Sequence, residues 1–219
     1  MGITQNIGAS SLIKAGVVDN AAARPASPYE GQVIFQKDTD QLLVWNGTAW
    51  VIPNSPAQNP QGLEFISSTT IGSGVASHTV SNCFSSTYDN YVVTIANPVF
   101  TVSSGIIGFT FNGLTSGYYG SQSYDLYTGG NNGYNRMNNA SNFYVGITAT
   151  DNASATIITV YSPNKSLYHM FTSSFYGSGY TGIAAGQTID QTARTGFVIT
   201  PSTGTITGGT VTVYGYRKS

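Results

Sequence analysis

From residue 63 onward the sequence is a series of short apolar runs separated by clusters of Gly, Ser and Asn. Several runs alternate apolar and polar residues, as in Phe109-Thr110-Phe111 and Val211-Thr212-Val213. A period of two is the spacing of side chains on one face of a β-strand. The pattern therefore predicts an all-β fold, with an antiparallel jelly-roll-like β-sandwich over residues 63–219. The predicted strands are 75–80, 91–95, 106–111, 143–149, 156–161, 168–175, 196–200 and 209–216.

The first 62 residues divide by composition into three further segments. Residues 1–28 are predicted to form an N-terminal arm, with a short helix around 9–15 and extended chain near Pro25 and Pro28. Residues 29–52 contain three β-type runs joined by turn signals, so they predict a small three-stranded meander. Residues 53–62 hold three prolines and no apolar anchor. We expect this last segment to be an extended linker to the sandwich.

The meander is too small to bury its own aromatic residues. Isolated hairpins are marginally stable in water, and this one carries two tryptophans. We therefore expect it to pack against other copies of the chain, as a trimerising element. The predicted interface residues are Val33, Phe35, Leu43, Trp45 and Trp50.

Charged residues make up 8% of the chain, whereas a typical soluble domain has about 25%. An uncharged polar surface loses little hydration energy when another protein covers it, so this composition favours an oligomer. The basic run that a nucleic-acid-binding protein needs is missing, and nucleic acid is not an expected partner. The sequence also has no apolar stretch of membrane-spanning length and no signal peptide, so we expect synthesis in a cytoplasm without membrane insertion.

Few residues are candidates for catalysis. His78 and His169 lie in predicted strands without metal-site spacing, and Cys83 is expected to be a small buried hydrophobe. The acidic residues are dispersed, whereas a glycan hydrolase needs two carboxylates roughly 5 to 9.5 Å apart. The sequence GSGYTG at 177–182 matches a dinucleotide-binding pattern, but no helix follows it, so a turn is expected. We therefore predict no enzymatic activity, no metal and no cofactor.

Residues 116–136 are the most suggestive segment for binding. Tyrosines alternate there with Gly, Ser and Asn, a composition typical of recognition loops, which could stack on sugar rings. Packing of the same tyrosines on the sandwich or between protomers is the alternative. The candidate receptor-binding residues are Tyr118, Tyr119, Tyr124, Tyr127 and Tyr134.

Two parts of the sequence resemble tailed-bacteriophage fibre and appendage proteins. The first comprises RPASPYEGQVIF at 24–35, DTD at 38–40 and LVWNGTAWV at 43–51, and it resembles a connector module of those proteins. The second comprises YDNYVVTI at 88–95 and GTVTVYGY at 209–216, and it resembles their distal β-sandwich domains. The resemblance implies a virion structural protein that is usually a homotrimer. It also implies that the arm docks on other virion proteins.

Together these features predict a small tail fibre or appendage that presents its sandwich to the host surface, with a cell-surface glycan as a candidate ligand. Attachment to the tail or to the capsid stays open, so a capsid decoration protein is the first alternative. A glycan depolymerase is the second alternative.

Overall fold

A computed structural model describes residues 16–53, 62–130, 132–151 and 154–217. Within these ranges the regular structure is strands and one 3-10 turn, Ala21–Ala23, which confirms the predicted all-β class. The chain divides into two compact units on either side of residue 60. The predicted helix around 9–15 and most of the predicted linker lie outside the described residues.

The first unit is a four-stranded sheet in the order β1-β2-β3-β4. Strands β2, β3 and β4 form the predicted antiparallel meander, and its second turn is closed by Asn46, whose Oδ1 accepts from the backbone N–H of Thr48 and Ala49 at 3.0 and 2.8 Å. A strand that the sequence did not indicate, β1, pairs with β2 in parallel. The arm predicted over 1–28 is therefore wrong at 16–18, where the chain belongs to this sheet. The strands are β1 (Gly16–Val18), β2 (Val33–Gln36), β3 (Gln41–Trp45) and β4 (Trp50–Val51).

A chain of polar side chains ties the start of the connector-like sequence to this sheet. Arg24 Nε donates to Gln36 Oε1 at 2.7 Å, and Gln36 Nε2 donates to Asp38 Oδ1 at 2.6 Å. Gln36 is buried, so both ends of its amide need partners. Arg24 and Asp38 thus supply hydrogen bonds that hold this unit together.

The second unit is an antiparallel sandwich of an eight-stranded and a four-stranded sheet. The large sheet has the order β10-β9-β14-β13-β12-β7-β16-β5, and the small sheet has the order β11-β8-β15-β6. The strands are β5 (Leu63–Thr70), β6 (His78–Val80), β7 (Tyr88–Phe100), β8 (Ile106–Phe111), β9 (Tyr118–Leu126), β10 (Gly133–Ala140), β11 (Phe143–Ile147), β12 (Ala155–Tyr161), β13 (Met170–Gly177), β14 (Tyr180–Thr188), β15 (Phe197–Pro201) and β16 (Ile206–Arg217).

Aromatic rings fill the space between the two sheets. Phe109 of β8 is fully buried and stacks on Phe197 of β15, with ring centroids 4.8 Å apart. From the large sheet, Phe171 meets Phe109 edge-on at 5.4 Å. Complete burial of one such side chain stabilises the fold by about 1.5 to 3 kcal/mol. Facing rings on β8, β15 and β13 therefore join the sheets.

Close approach of the sheets depends on two glycines opposite each other in the large sheet. Gly186 of β14 pairs with Gly120 of β9, and the ring of Phe143 from the small sheet lies over Gly186. A Cβ on Gly186 would lie 2.3 Å from the Tyr119 carbonyl oxygen and 2.9 Å from Phe143 Cε2. Because Gly186 has no side chain, the ring of Phe143 can pack directly on its backbone in the core.

The predicted turn at 177–182 is confirmed. Ser178 and Gly179 join β13 to β14 with φ values of 52° and 80°. Two left-handed residues in a two-residue connection match the twist of the flanking strands, and glycine takes such a conformation without strain. The glycine pattern therefore serves a β-hairpin.

Candidate functional site

The solvent side of the large sheet continues from β7 onto five neighbouring strands, β12, β13, β14, β9 and β10. Pairing registers place Ile157, Ser174, Ile183, Ser123 and Tyr134 in one row across these strands. Parallel rows lie on either side of it, because residues two positions apart on a strand share a face. We call this surface the outer face. Its other described members are Ala155, Thr159, Tyr161, Met170, Thr172, Tyr176, Thr181, Ala185, Gln187, Tyr119, Ser121, Asp125 and Arg136.

The outer face combines exposed apolar side chains with small polar ones. Its most exposed large apolar residues are between 44% and 65% exposed, and they are Tyr134, Ile157, Met170, Tyr176 and Ile183. Asp125 and Arg136 are the charged side chains among the described residues of this face. Apolar area of this kind in an ordered sheet is typical of a binding surface.

The centre of the outer face is a shallow depression of about 650 Å³. Its walls include Ile157, Tyr176 and Ile183, and Ser174 and Thr181 lie between them. The hydroxyl groups are short and the apolar walls project beyond them. The shape suits a partner that inserts apolar groups.

The tyrosine-rich segment 116–136 is a β-hairpin of the large sheet, where the sequence predicted a loop. Tyr118 is fully buried, and its hydroxyl accepts a hydrogen bond from the Phe111 backbone N–H at 2.7 Å. Burial raises the pKa of Tyr118. The candidate role of Tyr118 in receptor binding is therefore wrong, since no part of its ring reaches the surface.

The four other tyrosines of this segment occupy different places. Tyr119 and Tyr134 lie on the outer face, and Tyr124 points to the inner side, where its ring meets Tyr180 edge-on at 5.5 Å. Tyr127 follows β9 at the hairpin tip and is 72% exposed. Receptor binding by these four residues stays a prediction, and Tyr127 is the most accessible of them.

The backbone fixes the position of Tyr127. Its N–H donates to the Gly179 carbonyl oxygen at 3.1 Å, and its ring passes so close to Gly179 that a Cβ there would lie 2.7 Å from Cε1. The tip of the β9–β10 hairpin therefore rests on the neighbouring β13–β14 turn. A tyrosine held in this way loses little conformational entropy when it binds.

The predicted interface residues of the first unit differ in their exposure. Leu43 is buried within its own unit, so its assignment to an oligomer interface is wrong. Val33 and Phe35 are half-buried, and so are Trp45 and Trp50, whose rings meet edge-on at 5.6 Å. These four residues keep partly exposed apolar surface. Their place in an interface between copies stays a prediction.

The histidines and the cysteine have structural environments. His169 is fully buried directly before β13, with Nδ1 2.9 Å from the Ser162 carbonyl oxygen and Nε2 3.0 Å from the Thr192 carbonyl oxygen. His78 begins β6, and its Nε2 lies 2.9 Å from Thr69 Oγ1. Burial raises the pKa of Cys83 to about 12, so its thiol is protonated and unreactive, as expected for a buried hydrophobe.

An ion pair closes the segment between β14 and β15. Arg194 Nη2 donates to Asp190 Oδ1 at 2.6 Å, and Arg194 Nη1 donates to the Asn112 carbonyl oxygen at 2.9 Å. Partial burial acts to raise the pKa of Asp190, but hydrogen bonds from Arg194 and Thr192 outweigh burial and lower it. These contacts join the β14–β15 segment to the chain that follows β8, which is a structural role.

In the part of the chain that the structure describes, no group of three or more His, Cys, Asp or Glu side chains is placed to hold a metal ion. The same ranges contain no helix with the length and hydropathy needed to span a membrane.

Comparison with known proteins gave no match to a protein-family model, to a curated protein or to a solved structure.

Proposed function

We propose that this chain is a structural subunit of a bacteriophage particle, a small tail fibre or appendage that binds the host surface with its β-sandwich. The N-terminal segment docks on other virion proteins, and several copies, three in the form we favour, assemble side by side. The protein acts by binding and not by catalysis. The observation that carries this proposal is the outer face, a broad and nearly uncharged sheet surface with exposed apolar side chains beside an exposed tyrosine.

The sequence resemblance supports the particle context, and the composition supports assembly. A surface poor in Lys and Glu is covered by a neighbouring protein at low desolvation cost. Several copies on one particle raise a weak single-site affinity by about 10² to 10⁴. One exposed tyrosine in each copy is sufficient for attachment under these conditions.

Tyr127 is the residue that we expect to contact the host surface, with a glycan as the candidate ligand. Tyr127→Ala is expected to reduce binding of the purified full-length protein to cells of the phage's host at least ten-fold, because it removes the exposed ring at the hairpin tip. Binding is measured with fluorescently labelled protein over a concentration series. Oligomeric mass and unfolding midpoint should stay unchanged, because the side chain is 72% exposed.

Tyr29→Ala is the matched control, since Tyr29 is 69% exposed and lies in the first unit. It should bind like the unmodified protein. Equal binding by Tyr127→Ala and Tyr29→Ala would remove Tyr127 from the recognition surface. A protein that does not bind these cells at all would contradict the host-binding part of the proposal.

A further inference from the structure

We propose that the outer face is the surface on which a second copy of this chain packs. The inference rests on the proposed function, in which several copies assemble, and it assigns that contact to defined strands. The copies would meet over β12, β13, β14 and β9, with β10 at the margin.

The aliphatic side chains indicate a protein partner. Ile157 and Ile183 lie in one row, separated by Ser174, and they are 50% and 65% exposed. Tyr176 adds apolar area one row away from Ser174, and Met170 adds it two rows away on the other side. A sugar needs hydrogen-bond partners for its hydroxyl groups, which isoleucine and methionine cannot supply. The apolar centre of a protein interface is made of such side chains.

The size of the outer face fits a contact between two copies. Five strands about 4.8 Å apart and four rows about 6.7 Å apart give a footprint of roughly 600 Å². A stable interface of ordinary size buries about 800 Å² on each partner. The face thus supplies most of the area that a specific contact requires.

The charges of the outer face favour self-association. Asp125 and Arg136 have opposite signs, so the face carries no net charge and does not repel a second copy of the chain. The remaining polar members are mainly Ser and Thr, whose short side chains lose little rotamer entropy on burial. Covering this face with another copy therefore has a low desolvation and entropy cost.

The test is the accessibility of Ser174, at the centre of the face, in the assembled full-length protein. A Ser174→Cys variant should react with a maleimide probe at least ten times more slowly than Thr79→Cys. Thr79 is also exposed on a strand, but it lies on the small sheet, and the native Cys83 is buried. Dilution to single chains should abolish this protection, because the contact is between copies.

A double substitution Ile157→Lys/Ile183→Lys should restore fast labelling of Ser174→Cys, because it places two cations on the outer face of each copy. Val102→Lys is the matched control, since Val102 is 42% exposed in a loop of the same unit, away from this face. It should leave the protection intact. Measured at a dilution at which the chains are single, both lysine variants should keep the unfolding midpoint of the parent, because their side chains point into solvent in the single chain.

Equal labelling rates for Ser174→Cys and Thr79→Cys in the oligomer would overturn the proposal, and so would a chain that stays single at micromolar concentration. If the protein is a single chain and the double lysine variant binds host cells more weakly, the outer face binds a host ligand instead. The proposed function fails separately, if the protein is absent from phage particles. If Ser174→Cys is protected but the protein is absent from phage particles, the contact between copies stands and the proposed phage role fails.

Discussion

Replacing His169 with phenylalanine is expected to lower the free energy of unfolding by about 3 kcal/mol. The substitution keeps a ring beside Phe111, whose centroid lies 5.0 Å from that of His169, so the loss comes from polar contacts. The Ser162 and Thr192 carbonyl oxygens are both acceptors, and a ring nitrogen of His169 that carries a proton donates to the carbonyl oxygen it faces. Phenylalanine leaves both carbonyl groups without that donor. Urea unfolding followed by tyrosine and tryptophan fluorescence measures the change.

His78→Phe is the matched control for this prediction. His78 is partly exposed and makes one contact, to Thr69 Oγ1, so its replacement should cost less than about 1 kcal/mol. A similar small loss for His169→Phe would show that the two carbonyl contacts contribute little to stability.

Gly186→Ala is expected to lower the free energy of unfolding by at least about 3 kcal/mol, although it adds a single carbon. The new Cβ would lie 2.3 Å from the Tyr119 carbonyl oxygen and 3.0 Å from Gly120 Cα. Both contacts are with the backbone of a paired strand, which cannot move without breaking its register. The same Cβ meets Phe143 in the core, so the sheets would also have to separate.

Gly208→Ala separates this steric effect from the general effect of adding a methyl group to a strand. A Cβ on Gly208 meets no atom within 4 Å. The free energy of unfolding of that variant should lie within about 1 kcal/mol of the value for the unmodified protein. Equal unfolding midpoints for the two alanine variants would contradict the described packing between β9, β14 and β11.

The strands of the sandwich could be predicted from the sequence where apolar and polar residues alternate. The run 106–111 was predicted and is β8, and the runs around β12, β13 and β16 were placed within a few residues. Their inward side chains are apolar, and their burial gives the period-two signal. Local sequence was sufficient for these strands.

Strands β5, β9, β10 and β14 were missed for a physical reason. β9 and β10 consist largely of Gly, Ser, Asn and Tyr, which also occur in loops, and their strand conformation depends on pairing. β9 pairs with β14, whose residues lie some 60 positions further along the chain. Tyr118 was assigned to a recognition loop because its buried position depends on that pairing.

The outer face could be predicted in part. Ile157 and Ile158 are adjacent in a strand, so one of them had to point away from the core. This pair of isoleucines was the feature of the sequence that indicated apolar side chains on the solvent side of the sheet. The row that joins Ile157 to Ile183 could not be predicted, because it requires the order of β12, β13 and β14 in the sheet.

The most direct test of the central proposal is to locate the protein on purified particles of the phage that encodes it. Electron microscopy with gold-labelled antibodies against the second unit should place several copies per particle at the tail. Mass spectrometry of the same particles should detect the chain at a matching copy number. Label on the capsid would favour a decoration protein over a tail fibre. Absence of the chain from purified particles would contradict the role as a virion structural protein.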